Sequence, residues 1–192
     1  MDKYDHFKLK IDAKPSLFHK QTVRKAVGVA VWGKIRKEVL QNCEPTSCSI
    51  CGYQPHNDQT HRLHVHEKEE YDFENIVVKL TDLDLICVNC HAFHHFGFTQ
   101  LKASKEKMKE LKQHFITVNK CTIDEFEEYR KSLIFKRRPQ GQKEVVKINS
   151  ELSFQDILFG NCKVRYAIAG NIPLKELIIE RLKQKGVYYE YN

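Results

Sequence analysis

Two pairs of cysteines in this chain have the spacing of a metal-binding knuckle. Cys48 and Cys51 form the first C-x-x-C pair, and Cys87 and Cys90 form the second. Four thiolates complete a tetrahedral shell around zinc, and closed sites of this kind are structural. Seven cysteines are an odd number and the N-terminal residues show no secretion signal, which disfavours a disulfide framework. The sequence therefore predicts one structural zinc ion. The remaining cysteines are predicted to be ordinary thiols: Cys43, Cys121 and Cys162.

A cluster of histidines lies between the cysteine pairs and directly after them. His64 and His66 alternate with apolar residues over positions 62–67, which predicts a half-buried strand with both imidazoles on one face. His91 and His95 are four residues apart in a predicted helix over 89–96, so they share a face. His66, His91 and His95 would then leave open coordination positions, the feature that distinguishes a catalytic metal from a structural one. The sequence therefore predicts a second, more labile metal ion beside the zinc.

The rest of the chain supplies the elements that must position these ligands. Alternation over residues 7–11 predicts a short strand, and apolar residues at every fourth position over 21–41 predict a basic helix. A third helix is predicted over 101–114, and a capping box from Thr122 to Glu125 opens a fourth. Beyond a basic stretch at 136–143, the pattern predicts an appended strand–helix–strand unit. The predicted fold class is α+β.

A longer motif surrounds the second cysteine pair. It reads Asp82-Leu-x-Leu-Ile-Cys87-x-x-Cys90-His91, and it follows a C-x-x-C pair and a strand that ends in His66-Glu67. This arrangement resembles the HNH endonuclease family. The resemblance implies a ββα-metal core that is pinned by the four-cysteine zinc site and carries one divalent ion.

The resemblance also implies roles for single residues. His66 falls on the first strand position, a metal ligand, and Glu67 falls where the family usually has its general-base histidine. Asp82 takes the position of the family's asparagine, His91 that of its final histidine, and His95 that of an extra ligand found in some branches. Two assignments stay open. Either His66 binds the metal and Glu67 is the base, or His66 is the base and His91, His95 and Asp82 hold the ion. His64 is a third candidate participant.

The likeness extends over residues 7–138 and is closest to one bacterial and phage branch of the family. The segments that carry it are Trp32 to Arg36, Leu63 to Glu67, Tyr71-Asp72, Cys90 to Phe98 and His114 to Cys121. Four consecutive segments are expected. They are an N-terminal strand and basic helix at 1–42, the zinc-stabilised core at 43–100, a helical extension at 101–140 and an accessory segment at 141–192.

Composition and charge favour a nucleic-acid partner. The 192 residues carry a net charge of +7, with a pI near 9.0, and no apolar run of membrane-spanning length is present. The leading hypothesis is a cytoplasmic, metal-dependent HNH endonuclease acting on DNA. The alternatives are an inactive zinc-stabilised nucleic-acid-binding module and a zinc-ribbon interaction protein. The candidate phosphate contacts are Lys34, Arg36, Lys102, Lys105, Arg137 and Arg138.

The cofactor and the oligomeric partner follow from the same residues. The second ion is expected to be Mg²⁺, Mn²⁺ or Ni²⁺, and histidine-rich ligation favours the last two over Mg²⁺, which prefers oxygen. The aromatic C-terminal end, with Tyr188, Tyr189 and Tyr191, is expected to pack on the core or to form a homodimer interface.

Overall fold

The chain is a mixed α+β protein with a small three-stranded sheet. The computed structural model describes residues 3–12, 14–43, 46–133 and 163–191, without the side chains of residues 16, 57, 58 and 60. The predicted α+β class is confirmed, while Arg137, Arg138 and Cys162 lie outside the described residues. The strands, in sheet order, are β1 (Leu63–Asp72), β2 (Val77–Cys87) and β3 (Arg165–Ile168). The helices are α1 (Val23–Val27), α2 (Val29–Gln41), α3 (Val88–His94), α4 (Phe96–Lys102), α5 (Lys105–Asn119), α6 (described over 123–133) and α7 (Lys175–Gln184).

The chain divides into two compact units that interleave along the sequence. The knuckle unit comprises residues 1–13, 45–64 and 85–140. The sheet unit comprises residues 14–44, 65–84 and 141–192. The boundary falls inside two continuous strands, after His64 in β1 and before Leu85 in β2.

An aromatic cluster forms the core of the knuckle unit. The rings of Phe93 and Phe126 pack against Phe115 from α5, with centroid separations of 5.2 and 4.8 Å. Tyr129 stacks on the same ring at 5.8 Å. The three phenylalanines are almost fully buried, and each such ring removes a large apolar area from water. Helix α5 is therefore an integral core element. Helix α6 opens with the predicted capping box, in which the Thr122 hydroxyl accepts from the Glu125 N–H.

The predicted strand at residues 7–11 is wrong, although its burial pattern is right. Phe7, Leu9 and Ile11 are buried, but the backbone of this segment pairs with side chains instead of a strand. The Leu9 N–H donates to Asn119 Oδ1 at 2.9 Å, and Asn119 Nδ2 donates back to the Leu9 carbonyl at 2.9 Å. The Ile11 N–H donates to the Tyr129 hydroxyl at 3.2 Å. Alternation reports which side chains are buried and does not identify the hydrogen-bond partner.

Replacing Asn119 should destabilise the knuckle unit, because a buried side chain satisfies both polar groups of Leu9. We expect Asn119→Leu to lower the free energy of unfolding by about 2–4 kcal/mol, since two buried backbone groups lose their partners. Asn119→Asp keeps an acceptor for the Leu9 N–H but places a second carboxylate oxygen against the Leu9 carbonyl. We therefore expect it to lower the free energy of unfolding as well, through the loss of the hydrogen bond to that carbonyl. Urea denaturation of the zinc-loaded chain measures both changes. A wild-type midpoint for Asn119→Leu would contradict this account.

The predicted helix over 21–41 is two helices, because Gly28 interrupts it. Gly28 has φ +87°, which lies in the region that favours glycine, and it ends α1 and begins α2. The two helices belong to the sheet unit, where Val23, Trp32 and Ile35 point into the core. The four-residue periodicity correctly predicted which side chains are buried, but it did not predict the interruption of the helix at Gly28.

The C-terminal segment contributes the third strand of the sheet. Strand β3 pairs parallel to β2, with Val77 opposite Arg165 and Leu80 opposite Ile168. Helix α7 follows, as expected, but the predicted last strand is reduced to one bridge between Tyr166 and Tyr188. The described part of this segment, residues 163–191, therefore contributes a strand and a helix to the sheet unit. Within the described ranges, no helix combines the length and apolarity needed to cross a membrane.

Candidate metal centres

The four predicted cysteines come together in the knuckle unit. Cys48 and Cys51 lie in a tight turn, in which Gly52 has φ +75° and its N–H donates to the Cys48 carbonyl at 2.9 Å. Cys87 is the last residue of β2 and caps α3, where its sulfur accepts from the Cys90 N–H at 3.4 Å. A turn and a strand–helix junction thus aim four thiols at one point.

The spacing of the sulfurs fits a zinc ion. The four Sγ atoms all lie within 4.8 Å of one another, and Cys51 and Cys87 are 3.7 Å apart. Tetrahedral zinc with sulfur bonds of about 2.3 Å places its sulfurs about 3.8 Å apart. A disulfide would need about 2.05 Å, and all four cysteines are free. This cluster is therefore a structural metal site suited to zinc.

Electrostatics within the cluster show why a cation is required. Hydrogen bonds from the Cys87 and Cys90 thiols hold the pKa of Cys48 far below its usual value. The side-chain hydrogen bond with Cys48 in turn raises the pKa of Cys90 far above its usual value, and burial raises that of Cys51 to about 12. The protein alone stabilises the thiolate of Cys48 and opposes those of Cys51 and Cys90, so a divalent cation is needed if all four cysteines are to bind as thiolates.

Three histidines form the second group of possible metal ligands. One ligand nitrogen each of His66, His91 and His95 lies within 4.8 Å of the other two. Strand β1 carries His66, helix α3 carries His91, and His95 is the residue between α3 and α4. The predicted single helix over 89–96 thus ends at His94, yet the ring centroids of His91 and His95 remain 4.7 Å apart.

His64 joins this histidine group from the same strand. Its ring stacks on that of His91, with centroids 4.6 Å apart and planes at 18°. His64 and His66 are two residues apart in β1, so both side chains lie on one face of the strand. Three imidazoles at ligating distance and a fourth beside them make a nitrogen-rich site, the type that favours Mn²⁺, Ni²⁺ or Zn²⁺ over Mg²⁺.

Glu67 lies on the opposite face of β1 from His66. The strand would have to end near Glu67 to bring both side chains to one side, but it continues to Asp72. The backbone N–H of Arg24 donates to Glu67 Oε1 at 2.7 Å, so this carboxylate caps the first turn of α1. Burial raises the pKa of Glu67 to about 7, although the hydrogen bond from Arg24 opposes the shift.

The raised pKa of Glu67 predicts a pH-dependent effect of its replacement. A carboxyl group with a pKa near 7 in the folded chain and near 4.5 in the unfolded chain destabilises the fold as pH rises through that window. Glu67→Gln keeps the acceptor for Arg24 and removes the charge. We expect its melting temperature to match wild type near pH 5 and to exceed it by a few degrees at pH 8. Thermal unfolding of both zinc-loaded chains at each pH tests this, and a gap that does not change with pH would contradict it.

Asp82 is directed toward a lysine. Lys68 donates to Asp82 Oδ2 at 3.1 Å and to Asp84 Oδ1 at 2.9 Å, and the Leu83 N–H donates to Asp82 Oδ1 at 2.8 Å. Burial alone would raise the pKa of Asp82, but the hydrogen bonds from the Leu83 N–H and from Lys68 outweigh it and lower that pKa. More than half of the Asp82 side chain is exposed, and the group of possible ligands formed by the three histidines does not include it. Asp84, the second partner of Lys68, was not singled out from the sequence.

His114 contacts the cysteine cluster, a contact that its sequence pattern does not predict. Its Nε2 lies 3.2 Å from Cys90 Sγ, and burial lowers the pKa of the imidazole. The available signal was its position in the His114 to Cys121 segment, which was used only as part of the family resemblance. A histidine in a helix that follows a knuckle is a candidate neighbour of the metal.

The predicted phosphate contacts that the structure describes are mostly exposed lysines. Lys34 on α2 and Lys102 and Lys105 around α4 and α5 are exposed, and Arg36 is half-buried. Their contact with nucleic acid stays a prediction. Comparison with known proteins adds no further assignment, because no family model, curated protein or solved structure matches this chain.

Proposed function

We propose that this protein is a metal-dependent endonuclease that hydrolyses DNA phosphodiester bonds with an HNH-like site. The observation that supports the proposal best is the grouping of His66, His91 and His95 within 4.8 Å. His66 comes from β1, His91 from α3 and His95 from the residue directly after α3, and the resemblance to the HNH family implies ligands at these positions. The four-cysteine cluster has the structural role in this proposal, and the histidine group has the catalytic one.

The proposed chemistry assigns the ion to the histidine group. A divalent cation bound there would act as a Lewis acid on the scissile phosphate and offset the charge that develops on the leaving oxygen. Three imidazole ligands leave positions open for phosphate and water. In this proposal the three histidines hold the ion in place, and neither Asp82 nor Glu67 is needed as a further ligand.

His64 is the group that we propose as proton acceptor for the attacking water. It shares a strand face with His66, and its ring lies 4.6 Å from that of His91. Histidine titrates near neutrality, which suits a general base. Glu67 caps α1 from the opposite face of β1, so we propose that its role is structural. Cleavage by His64→Ala and by Glu67→Gln, each compared with wild type, separates these assignments.

DNA is the proposed substrate because of the chain's charge. The net charge of +7 and the exposed Lys34, Lys102 and Lys105 favour binding to phosphates, whose affinity falls steeply as salt rises. One observation favours the alternative of an inactive binding module. Both carboxylates that the resemblance places at the site are occupied elsewhere, Glu67 with Arg24 and Asp82 with Lys68.

An assay with supercoiled plasmid distinguishes the nuclease from the inactive binding module. The zinc-loaded chain is incubated with plasmid in Mg²⁺, Mn²⁺ or Ni²⁺, and the nicked and linear products are counted on gels. We expect cleavage with Mn²⁺ or Ni²⁺ and little with Mg²⁺. Retarded migration of intact plasmid with all three ions would instead identify a binding module, and neither cleavage nor retardation would exclude both functions.

A further inference from the structure

Residues of the segment His114 to Cys121 make contacts in the knuckle unit that have no part in the proposed nuclease activity. Helix α5 carries three of its residues to three different parts of the knuckle unit. Phe115 enters the aromatic core, Asn119 holds the backbone of Leu9, and His114 reaches the cysteine cluster. The first is a packing contact and the second is a pair of hydrogen bonds to the Leu9 backbone, whereas the third touches one of the four clustered cysteines.

The contact of His114 with Cys90 has the geometry of an N–H···S hydrogen bond. The Nε2 atom lies 3.2 Å from Cys90 Sγ, and Cys90 is fully buried. A cysteine that binds zinc does so as a thiolate, which has no proton to donate. The imidazole N–H is therefore the donor when the metal is bound, and this fixes the tautomer with the proton on Nε2.

Two further contacts hold α5 against the second C-x-x-C pair, so that His114 is held in place. The Lys107 ammonium donates to Asn89 Oδ1 at 2.9 Å, and Asn89 Nδ2 donates to Glu110 Oε1 at 3.1 Å. Asn89 lies between Cys87 and Cys90 in the chain. Lys107, Glu110 and His114 recur at three- and four-residue intervals, so they line one face of the helix.

We propose that His114 is a positioning residue of the zinc site, an outer-shell donor to the Cys90 thiolate that increases zinc retention. Four thiolates around Zn²⁺ leave excess negative charge on the sulfurs, and a donor that is aimed at one of them offsets part of it. Outer-shell partners of metal ligands typically contribute about ten- to hundredfold in metal affinity. The proposal rests on the four-cysteine site alone and is independent of nuclease activity.

Two substitutions at His114 separate the donor from its packing. His114→Phe keeps an aromatic ring and removes the donor, while His114→Gln keeps an N–H donor. The rate of zinc release from each full-length chain to a chromogenic chelator is measured, and the cobalt-substituted proteins supply the thiolate-to-metal charge-transfer spectrum. His61→Phe, at an exposed histidine of the same unit, is the matched control.

We expect His114→Phe to release zinc about ten times faster than wild type, with its charge-transfer band at lower energy, because the sulfur becomes more electron-rich. His114→Gln and His61→Phe should both stay near wild type. If His114→Phe does not fold while His114→Gln binds zinc normally, the donor is still the feature that matters. Wild-type release and spectrum in His114→Phe would overturn the proposal. Equal losses in both His114 variants, including failure of both to fold, would overturn it as well.

Discussion

Cys48→Ala is expected to lose the zinc ion and, with it, the cooperative fold of the knuckle unit. The Cys48 sulfur is almost fully buried, and the other three thiols converge on it within 4.8 Å. Structural zinc binds zinc-finger peptides with about 10–16 kcal/mol of apparent free energy. That range is as large as the about 5–15 kcal/mol of net stability of a typical domain. We therefore expect the loss of one ligand to unfold the unit.

Zinc content and near-ultraviolet circular dichroism measure this effect together. The dichroism reports the packing of the aromatic cluster around Phe115, which belongs to the same unit. Cys121→Ala is the matched control, because Cys121 is a half-buried free cysteine of the knuckle unit outside the ligand group. It should keep one zinc ion and a wild-type spectrum. A folded Cys48→Ala chain without zinc would show that the cluster is not a structural metal site.

Under the proposed nuclease function, His91→Ala should eliminate DNA cleavage while the fold and the zinc content are preserved. His91 lies at ligating distance from His66 and His95, and its ring also supports that of His64. Loss of the ion would remove several kcal/mol of transition-state stabilisation, which corresponds to a decrease on the order of a thousandfold in rate. The predicted zinc ligands are the four cysteines and do not include His91, so the variant should retain the wild-type amount of zinc.

Single-turnover cleavage of a labelled duplex gives the rate, and metal analysis of the same sample gives the zinc content. The exposed His61 again provides the control, and His61→Ala should cleave at the wild-type rate. Undiminished cleavage by His91→Ala would mean that the histidine group is not the catalytic site. A loss of both zinc and activity would mean that the histidines and cysteines form one structural cluster.

The four-cysteine cluster and the strand that carries the histidines were predictable, because each depends on a local pattern. Cys48, Cys51, Cys87 and Cys90 lie in two short spacings, and a thiol pair at this spacing has few uses other than metal binding or redox chemistry. The strand that carries His64 and His66 followed from simple alternation, since residues two apart share a strand face. Both patterns are properties of short segments, and tertiary structure only brings the segments together.

Features set by distant partners were not predictable. The alternation at residues 7–11 was the same as that of a strand, but its hydrogen-bond partner is Asn119, more than a hundred residues away. Strand β3 pairs with β2 across a separation of more than eighty residues, and no local signal specifies that pairing. The place of His114 beside Cys90 likewise depends on how α5 packs.

The proposed role of Glu67 depends on where β1 ends, and sequence patterns specify the ends of strands only weakly. The polar residues from Lys68 to Glu70 made an end of the strand plausible, yet β1 continues to Asp72 because β2 is there to pair with it. Because β1 continues past Glu67, its side chains keep alternating through that position, and the Glu67 carboxylate lies on the face opposite His66. The resemblance to the HNH family supplied a position for Glu67 but not its direction.

A titration with Mn²⁺ tests the central proposal most directly. Electron paramagnetic resonance measures the bound ion in the zinc-loaded chain, and plasmid cleavage is followed in the same samples. We predict that cleavage rises in proportion to the occupancy of one Mn²⁺ site and that His66→Ala loses this site while it retains zinc. Cleavage by a chain that retains only the zinc ion of the four-cysteine site, or an undiminished Mn²⁺ site in His66→Ala, would contradict the assignment of the histidine group as the catalytic centre.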